Sequence, residues 1–366
     1  MLNNVITHES VVRMVMSSVA AGMRRLAAVT HRGLGVALAF PILWFAAVPA
    51  AQAHEAVVDD SPIVFDLVAW RTWLGELRAE AIAKGMKPDV VGLALDGLDP
   101  IERVIELDRH QPEFTLTFNQ YVDRVAPAAR IRKGRQRYQE NRALLEQVGR
   151  RIGVQPRFLV ALWGIETDFG RLTGGFNVIN ALATLAFDGR RSEYFRGELM
   201  NALQIASDGH MSPKDMTGSW AGAMGQPQFM PSSFLRFAID YDGDGRRNIW
   251  TSRADVFGSA ATYLKGVGWL DDQTWGREIK LPAGFDQSLA GLKVVKRMAE
   301  WQALGVRRID GTDLPARQLD ASIVVPDEES GRAFLVYENF RNILKWNRSS
   351  YFALAVGLLA DGIASR

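Results

Sequence analysis

A single acidic residue, Glu166, follows a run of apolar residues, a position that could give it unusual acid–base chemistry. Residues 158–165 are apolar, and Pro156 stands where proline is favoured in the first turn of a helix. The segment therefore predicts a buried helix with a carboxyl group at its end. Burial without a cationic partner raises a carboxyl pKa, and a protonated acid can donate to a leaving-group oxygen. The alternative is a glutamate at an exposed helix end.

The glycine-rich segment at residues 218–233, GSWAGAMGQPQFMPSS, is a second candidate site. Its glycines allow a ligand to approach the backbone closely. Its glutamines can both donate and accept hydrogen bonds, and its aromatic rings offer flat faces to a sugar. The segment favours a binding loop for a polar, ring-containing ligand. An ordinary structured loop is the alternative.

The acidic segment after residue 239 has the spacing of a calcium-binding loop. Carboxylates at positions 1, 3 and 5 with glycine at position 6 begin an EF-hand loop. Position 12 is Thr251 instead of the usual glutamate, so we expect the last ligand to come from the next acidic residue in the chain. A metal-free aspartate-rich turn is the alternative. The predicted ligands are Asp240, Asp242, Asp244, the carbonyl oxygen of Arg246, Asn248 and Asp255.

Composition excludes several classes of protein. The chain has 366 residues and no cysteine, which argues against a disulfide scaffold, a cysteine-based zinc site, a thiol nucleophile and a lipid anchor on cysteine. Four of the 43 basic residues and one of the 41 acidic residues lie in residues 1–53, so the remainder is nearly neutral. A neutral body lacks the basic surface typical of nucleic-acid binding.

The first 53 residues have the pattern of a secretory signal peptide. Arg24, Arg25 and Arg32 precede a charge-free stretch at residues 33–53, which ends in Ala-Gln-Ala. A basic region, an apolar region and such a small-residue site are typical of a cleaved signal. We therefore expect a mature protein outside the cytoplasm. A permanent membrane anchor is the alternative, since the stretch is nearly long enough to span a bilayer.

The remaining pattern predicts a mostly α-helical protein with one small β-rich insertion. Apolar spacing and helix-start signals predict helices from 65 to about 85 and at 88–95, 128–151, 156–166, 178–187, 192–208, 231–240, 252–266 and 350–364. Short runs with strand character occur at 277–281, 322–325 and 333–337. We divide the chain into a signal peptide (1–53), an N-terminal helical subdomain (54–151), a core (152–270), a β-rich subdomain (271–338) and returning helices (339–366).

Three motifs in this order resemble the lytic murein transglycosylase B family. They are G-I-E-T at 164–167, A-G-A-M-G-x-x-Q-F-M-P-S-S at 221–233 and the acidic loop at 240–255. The similarity runs from about residue 62 to the C-terminus. The family consists of lysozyme-like enzymes of the bacterial periplasm that cleave peptidoglycan. The resemblance implies a mostly α fold: a lysozyme-like helical core with an N-terminal helical subdomain, a small β-rich insertion and an EF-hand-like loop.

The resemblance also implies roles for individual residues. Glu166 matches the family's single catalytic acid/base. The acidic loop matches a structural calcium site, and no organic cofactor is implied. The matched substrate-binding residues are Ser219 and Gln228 as polar cleft residues, Met224 and Phe229 as cleft wall, Tyr263 as a cleft tyrosine, Arg190, Arg191 and Tyr194 near the peptide stem, and Trp346, which stands where a tyrosine is common and keeps only stacking.

The implied reaction cleaves the MurNAc–GlcNAc bond without water and leaves 1,6-anhydro-MurNAc ends. The expected partner is the peptidoglycan glycan strand, with no nucleic acid, and the chain is expected to act as a periplasmic monomer. One alternative is a hydrolytic muramidase that uses Glu166 together with Asp168. Another is a non-catalytic peptidoglycan-binding protein, although the acid is present. A calcium sensor would need a second loop paired with the first.

Overall fold

The structure, a computed structural model, describes residues 62–110 and 116–365. The predicted signal peptide, at residues 1–53, lies outside the described residues. Within the described part of the chain, no helix combines the length and the apolar character needed to cross a membrane. The described residues all fall in one compact unit, and the finer division proposed from the sequence stays a prediction.

Helices form most of the described structure. In chain order they are α1 Leu67–Ala83, α2 Pro88–Leu95, α3 Glu102–Arg109, α4 Phe118–Val125, α5 Ala128–Glu140, α6 Arg142–Val148, α7 Pro156–Thr167, α8 Val178–Phe187, α9 Ser192–Ser207, α10 Pro231–Phe237, α11 Arg253–Gly266, α12 Met298–Ala303, α13 Glu338–Trp346 and α14 Ser350–Ala364. The short strands β1 Phe176–Asn177 and β2 Thr217–Gly218 form an antiparallel pair. The mostly α-helical prediction is confirmed.

The predicted long helix at 128–151 is wrong as a single element. It is divided into α5, α6 and a π-helical turn at Gly149–Gly153. The break falls at Asn141, which has a non-helical backbone and donates from Nδ2 to the carbonyl of Arg137. Its Oδ1 accepts from Arg253, at the start of α11. The break is therefore set by a tertiary contact that helical periodicity does not reveal.

Helix α7 belongs to the main hydrophobic core, and its residues 158–167 are all buried. Helices α5 and α14 pack against it. Three consecutive residues with positive φ end it, Asp168 at 48°, Phe169 at 62° and Gly170 at 79°. The ring of Phe169 folds back over Gly164, where a Cβ would lie only 2.8 Å from the ring. Gly164 is thus required by this close packing, and the predicted buried helix is confirmed.

The β-rich insertion is a five-stranded antiparallel sheet. Its strands are β3 Gly276–Lys280, β4 Lys296–Arg297, β5 Arg307–Arg308, β6 Asp320–Val324 and β7 Ala333–Val336, in the spatial order β4-β6-β7-β3-β5. Strand β7 pairs with both β3 and β6, and helix α12 lies between β4 and β5 in the chain. The insertion has its own small hydrophobic core around Trp301, Ile323 and Leu335. The large core, from Trp70 to Ile363, lies under the helices.

Candidate active site

Glu166 lies one residue before the end of α7, and only 6% of it is exposed. Burial raises the pKa of this carboxyl to about 8, while the hydrogen bond from Trp346 acts in the opposite direction. The group is therefore a protonated acid at neutral pH, as the apolar run before it predicted. A carboxylic acid in this state can serve as a proton donor and, once ionised, as a base.

Trp346, at the end of α13, contacts Glu166 directly. Its Nε1 donates a hydrogen bond of 2.8 Å to Oε1 of Glu166. The indole is 1% exposed, and its ring packs against Tyr263, with 4.7 Å between centroids, and Phe229, at 5.3 Å. The expected sugar stacking is therefore corrected: the ring is buried among other rings and offers no open face. An indole N–H can only donate, so Oε1 accepts. The carbonyl oxygen of a carboxylic acid is the better acceptor, and we therefore assign the acid proton to Oε2.

The loop after β2 is braced by its own backbone. Ser219 N donates to the Ala223 carbonyl at 2.8 Å, and Ser219 Oγ accepts from Ala223 N at 3.0 Å. Met224 and Phe229 exchange backbone hydrogen bonds of 2.8 and 3.1 Å. Gly218 fits this arrangement because a Cβ there would lie 2.1 Å from the Ala223 carbonyl oxygen. The predicted cleft residues are thus brought together in one rigid loop, with Ser219, Met224 and Phe229 buried.

Gln228 has a strained backbone in this loop, with a φ of 54°. Its Nε2 donates to the carbonyls of Gly225 at 2.8 Å and Thr173 at 3.1 Å. No described residue donates to its Oε1, although the side chain is 4% exposed. Strained positions of this kind often lie at functional sites. Gln228 therefore keeps one acceptor oxygen in a fixed direction.

Gln226, which the sequence analysis did not select, ties the loop to α7. Its Oε1 accepts from Trp163 Nε1 and its Nε2 donates to the Trp250 carbonyl, both at 2.7 Å. Its own carbonyl accepts from Thr167 Oγ1 at 2.9 Å. Thr167 is the neighbour of Glu166, so Gln226 couples the loop to the acid. Its place inside the A-G-A-M-G-x-x-Q motif is the only signal that the sequence carries for it.

Asp168 is two residues from Glu166 but has a different environment. Its Oδ2 contacts Lys133 Nζ at 2.9 Å and Arg171 Nε at 2.7 Å. Burial alone would raise the pKa of Asp168, but hydrogen bonds from these cations bring the pKa below its usual value. An ionised carboxylate held by two cations is a structural anchor. It is a poor base because its lone pairs are already engaged.

Tyr121, on α4, is a second residue that the sequence analysis did not select. It is 4% exposed, and both burial and the nearby Glu166 carboxyl raise the pKa of its hydroxyl. The side chain is therefore a neutral phenol close to the acid. The capping box formed by Thr117 and Gln120 marks the start of α4. That signal identifies a helix, yet it gives no indication that the helix faces Glu166.

The residues predicted near the peptide stem lie at the start of α9. Asp108, at 2% exposed, contacts Arg190 Nε at 3.4 Å and also pairs with Arg191. Tyr194 is 48% exposed, and its ring lies against Phe195 at 5.2 Å. The two arginines thus share a buried carboxylate from α3, and both of them and Tyr194 are exposed at the surface.

The acidic loop brings three carboxylates together. Asp240, Asp242 and Asp244 each have an oxygen within 4.8 Å of the others. Asp240 accepts from the backbone N–H groups of Gly243, Asp244 and Gly245, and despite its desolvation these bonds lower its pKa. Among the described residues, none of the three aspartates forms an ion pair with lysine or arginine. Their mutual repulsion is thus offset by hydrogen bonds but by no cationic side chain of the described residues, which fits a divalent cation.

The remaining predicted ligands are placed differently. Asp255 is fully buried outside the cluster, and its oxygens accept from Tyr241 N at 2.7 Å and Asn248 N at 2.6 Å. It fastens both ends of the loop to α11, which corrects its prediction as a direct ligand. Asn248 Oδ1 accepts from Trp250 N and Thr251 N, so this side chain caps the next turn. The backbone N–H of Arg246 donates to Asp244 Oδ1, and the Arg246 carbonyl group comes directly after the three aspartates in the chain.

Comparisons with known proteins find relatives with similar sequences and similar folds. The chain is 36% identical over 220 residues to membrane-bound lytic murein transglycosylase B of Escherichia coli K12, an alignment that spans 58% of each protein. The crystal structure of SltB3 from Pseudomonas aeruginosa in complex with NAG-anhNAM-pentapeptide has 44% identity and a TM-score of 0.78, covering 80% of this chain and 79% of that one. Escherichia coli Slt35 in complex with calcium has 29% identity and a TM-score of 0.68, covering 80% and 92%.

The predicted family resemblance is also tested by a sequence model of the whole domain. The model described as the transglycosylase SLT domain matches residues 69–361, which include Glu166, the loop after β2, the acidic loop and α13. The chain therefore belongs to the transglycosylase SLT domain family.

Proposed function

We propose that this protein is a peptidoglycan lytic transglycosylase in which Glu166 is the single acid and base. The observation that carries the proposal is a buried carboxyl with a pKa of about 8, in contact with one neutral donor. The SltB3 complexes supply the ligand class, because they contain NAG-anhNAM-pentapeptide and NAG-NAM-pentapeptide. The first of these ligands carries the anhydro end that the proposed reaction forms.

The reaction begins with protonated Glu166. Oε2 donates its proton to the oxygen that bridges C1 of N-acetylmuramic acid and the following sugar, and the C1–O bond breaks. The acetamide of the same muramic residue stabilises the positive charge at C1. Ionised Glu166 then accepts the proton of the C6 hydroxyl as that oxygen bonds to C1. The products are a 1,6-anhydro end and a released strand, and Glu166 is again protonated.

This sequence needs one carboxyl group because the nucleophile belongs to the substrate. A tethered hydroxyl has a high effective molarity, so no activated water is required. Ordinary glycosidases use a second carboxylate to activate water or attack C1. Trp346 supports the cycle, since its N–H bond to Oε1 stabilises the carboxylate formed after the first proton transfer.

The neutral loop after β2 is suited to hold the acetamide. The free Oε1 of Gln228 can accept the acetamide N–H, and its fixed backbone keeps that oxygen in place. Ser219 is the other polar residue of the loop that we assign to substrate binding, and Met224, Phe229 and Tyr263 support it from behind. Uncharged groups are preferred here because a second negative charge would compete with the acetamide for C1.

Digestion of purified sacculi tests the proposed function. Mass spectrometry of the released muropeptides should show 1,6-anhydro ends, without the mass of an added water. Hydrated reducing ends would instead indicate a muramidase and overturn the proposal. Binding to the same sacculi is measured in a separate assay. A non-catalytic glycan-binding protein would bind the strands and release no muropeptides.

Asp168→Asn tests the two-carboxylate alternative. We expect the variant to keep anhydro products and most of its turnover, because Asp168 is engaged with Lys133 and Arg171. We expect the substitution to lower the stability of the fold instead. Because the pKa of Asp168 is lower in the native state than the unfolded value of 3.8, its ionised carboxylate stabilises the fold above that pH, and this contribution is lost as pH falls. The wild-type melting temperature should therefore exceed that of the variant at pH 7, with the gap closing in acid. Loss of turnover with an intact fold would favour the hydrolase.

We also propose a structural calcium ion at the acidic loop. Asp240, Asp242 and Asp244 supply hard oxygen ligands, and the Arg246 carbonyl and water molecules would complete the oxygen set that calcium prefers. The calcium complex of Slt35 supports the choice of ion. Bound calcium would offset the repulsion among three carboxylates and fasten α10 to α11. The ion lies in the scaffold and takes part in no chemical step.

Calcium titration followed by thermal unfolding tests this site. A ligand at 100 times its Kd stabilises the native state by about 2.7 kcal/mol, which for a chain of this length corresponds to a rise in melting temperature of about 4 °C. Asp242→Asn should remove most of this rise. Asp310→Asn, which makes the same change in a turn outside the cluster, should leave it intact. An equal rise in both variants would exclude the loop as the binding site.

We propose that the protein acts as a monomer in the periplasm after removal of residues 1–53. The basic and apolar N-terminal pattern and the proposed substrate support this location. Cell fractionation, N-terminal sequencing of the mature chain and light scattering would test it. Recovery of an uncleaved protein in the membrane fraction would support the anchor alternative.

A further inference from the structure

A cavity of about 540 Å³ lies where α10, α11 and α13 meet. Its lining residues are Ser232, Ser233, Arg236, Phe237, Tyr263, Gly266, Val267 and Lys345. Arg236 and Lys345 are the charged members of this set, and none of the lining residues is acidic. The cavity therefore has a positive character, and we refer to it below as the α10–α13 cavity.

Contacts with neighbouring residues position the side chains of Lys345 and Arg236, and neither forms an ion pair with a carboxylate. Lys345 Nζ donates to the Val267 carbonyl at 2.6 Å and to Asn342 Oδ1 at 2.9 Å, which fixes the ammonium group without a counter-charge. The Arg236 guanidinium lies over the ring of Phe237, 4.8 Å from its centroid. In the described part of the chain no carboxylate pairs with either residue. One buried acid contacts the lining, Glu198, but its oxygens accept from Ser232 N and Oγ and it pairs with neither cation. Two cations without a paired carboxylate form a site for an anionic group.

Two other grooves of similar size on the core contain acidic residues or arginines that are paired with acids. The groove at the start of α7, of about 590 Å³, is lined by three arginines. Of these, Arg157 pairs with Asp361 at 2.8 Å and Arg142 pairs with Glu146 at 2.7 Å. The neighbouring groove, of about 400 Å³, includes Glu146 and Asp271 in its lining. Two of the three arginines of the first groove are thus paired with acids, and the second groove contains acids of its own. Arg135, like Lys345, donates only to uncharged acceptors.

The α10–α13 cavity is also close to the proposed acid. Tyr263 forms part of its wall and donates from its hydroxyl to the Lys345 carbonyl at 2.6 Å. The Tyr263 ring packs on Trp346, with 4.7 Å between centroids, and Trp346 donates to Glu166. The cavity is therefore separated from Glu166 by two packed side chains, so a substituent of the bound strand would have to extend past these rings to reach it.

We propose that the α10–α13 cavity binds a free carboxylate of the peptide stem on the strand held at Glu166. This proposal rests on the proposed function, because it takes the substrate from it. A glycan strand whose muramic acids carry peptides has its lactyl groups in amide linkage, so its free carboxylates belong to the peptides. The two cations would make the enzyme prefer strands whose stems keep those carboxylates.

The test compares two polymers that differ in charge alone. One is uncross-linked glycan with intact peptide stems, and the other is the same glycan with the stem carboxylates converted to primary amides. Wild type, Arg236→Gln, Lys345→Gln and the double variant are assayed on both. Arg142→Gln, which removes one arginine from the groove at the start of α7, is the matched control. Thermal unfolding of each variant verifies its fold.

We expect wild type to have a lower KM for the native polymer, by about three- to fivefold per cation, as for a solvent-accessible ion pair. Each single variant should raise KM on the native polymer by that factor and leave kcat unchanged, and the double variant should show equal KM values on both polymers. A double variant that keeps the wild-type preference, or Arg142→Gln with the same loss, would overturn the assignment. If wild type released no anhydro ends from either polymer, the proposed function itself would be wrong; anhydro ends with equal KM values would refute the cavity alone.

Discussion

Glu166→Gln is expected to lower kcat by about 10²–10⁴-fold, the usual range for loss of a general acid or base. Glutamine fills the same buried position and can still accept from Trp346 Nε1 through its carbonyl oxygen. It cannot deliver a proton to the bridging oxygen or accept one from the C6 hydroxyl. Affinity for glycan strands should therefore remain near the wild-type value. Turnover is measured by release of anhydro-muropeptides, and affinity by co-sedimentation with sacculi.

Glu198→Gln is the matched control for that substitution. Glu198 is also buried, at 5% exposed, but its oxygens accept from the N and Oγ of Ser232. Its replacement should lower stability and leave the chemical step intact. Wild-type turnover in Glu166→Gln, or an equal loss of kcat in a folded Glu198→Gln, would remove Glu166 from its assigned role.

The raised pKa of Glu166 also predicts a pH dependence. Because the reaction starts from the protonated acid, kcat/KM should hold below pH 8 and decline as pH rises through about 8. Stability follows the same direction. Because the pKa of Glu166 is higher in the native state than the unfolded value of 4.5, the buried protonated carboxyl contributes to the free energy of unfolding. This contribution is fully present below pH 4.5 and is lost as pH rises towards 8. Glu166→Gln should therefore lose less stability than wild type between pH 5 and pH 8.

Trp346→Phe is expected to lower kcat by about 10- to 100-fold. The substitution keeps an aromatic ring beside Tyr263 and Phe229 but removes the N–H that contacts Oε1. A hydrogen bond to a charged group is worth about 1.5–3 kcal/mol, and this one is strongest when Glu166 becomes a carboxylate. The same loss raises the pKa of Glu166, so the alkaline limb of the activity profile should move to higher pH. Steady-state kinetics over pH 5–10 measure both effects.

Trp275→Phe separates this effect from general loss of packing. Trp275 is fully buried, and its Nε1 donates to another carboxylate, Asp361 Oδ2, at 3.0 Å. We expect this control to melt at a lower temperature while keeping the wild-type alkaline limb. An unmoved limb in Trp346→Phe would mean that the indole affects the acid through packing alone.

The sequence was most informative where local pattern decides structure. The apolar run before Glu166 predicted both the burial of α7 and the raised pKa of the acid, and proline marked its start. Helices α8, α9, α11 and α14 lie within about a residue of their predicted bounds. The Asp240 spacing predicted three carboxylates that do converge. In each case the deciding interactions lie within one segment.

Contacts between distant segments could not be read in this way. Trp346 is 180 residues from Glu166, so no spacing shows that its N–H contacts the acid. Gln226 and Tyr121 reach the α7 region from a loop and from α4, and their roles depend on how those elements pack. Asp255 has the right residue type for a ligand, but the burial of α11 directs it to backbone N–H groups.

The abrupt end of α7 has an electrostatic consequence for the acid it carries. Aligned peptide dipoles give a helix a partial negative charge at its C-terminus, which disfavours an anion in the last turn by about 0.3–1 kcal/mol. Glu166 occupies that turn, because the left-handed residues from Asp168 onward stop the helix directly after Thr167. The backbone itself thus helps to keep the carboxyl neutral. A variant that continued α7 by another turn would move this negative pole away and make Glu166 a stronger acid that is ionised at lower pH.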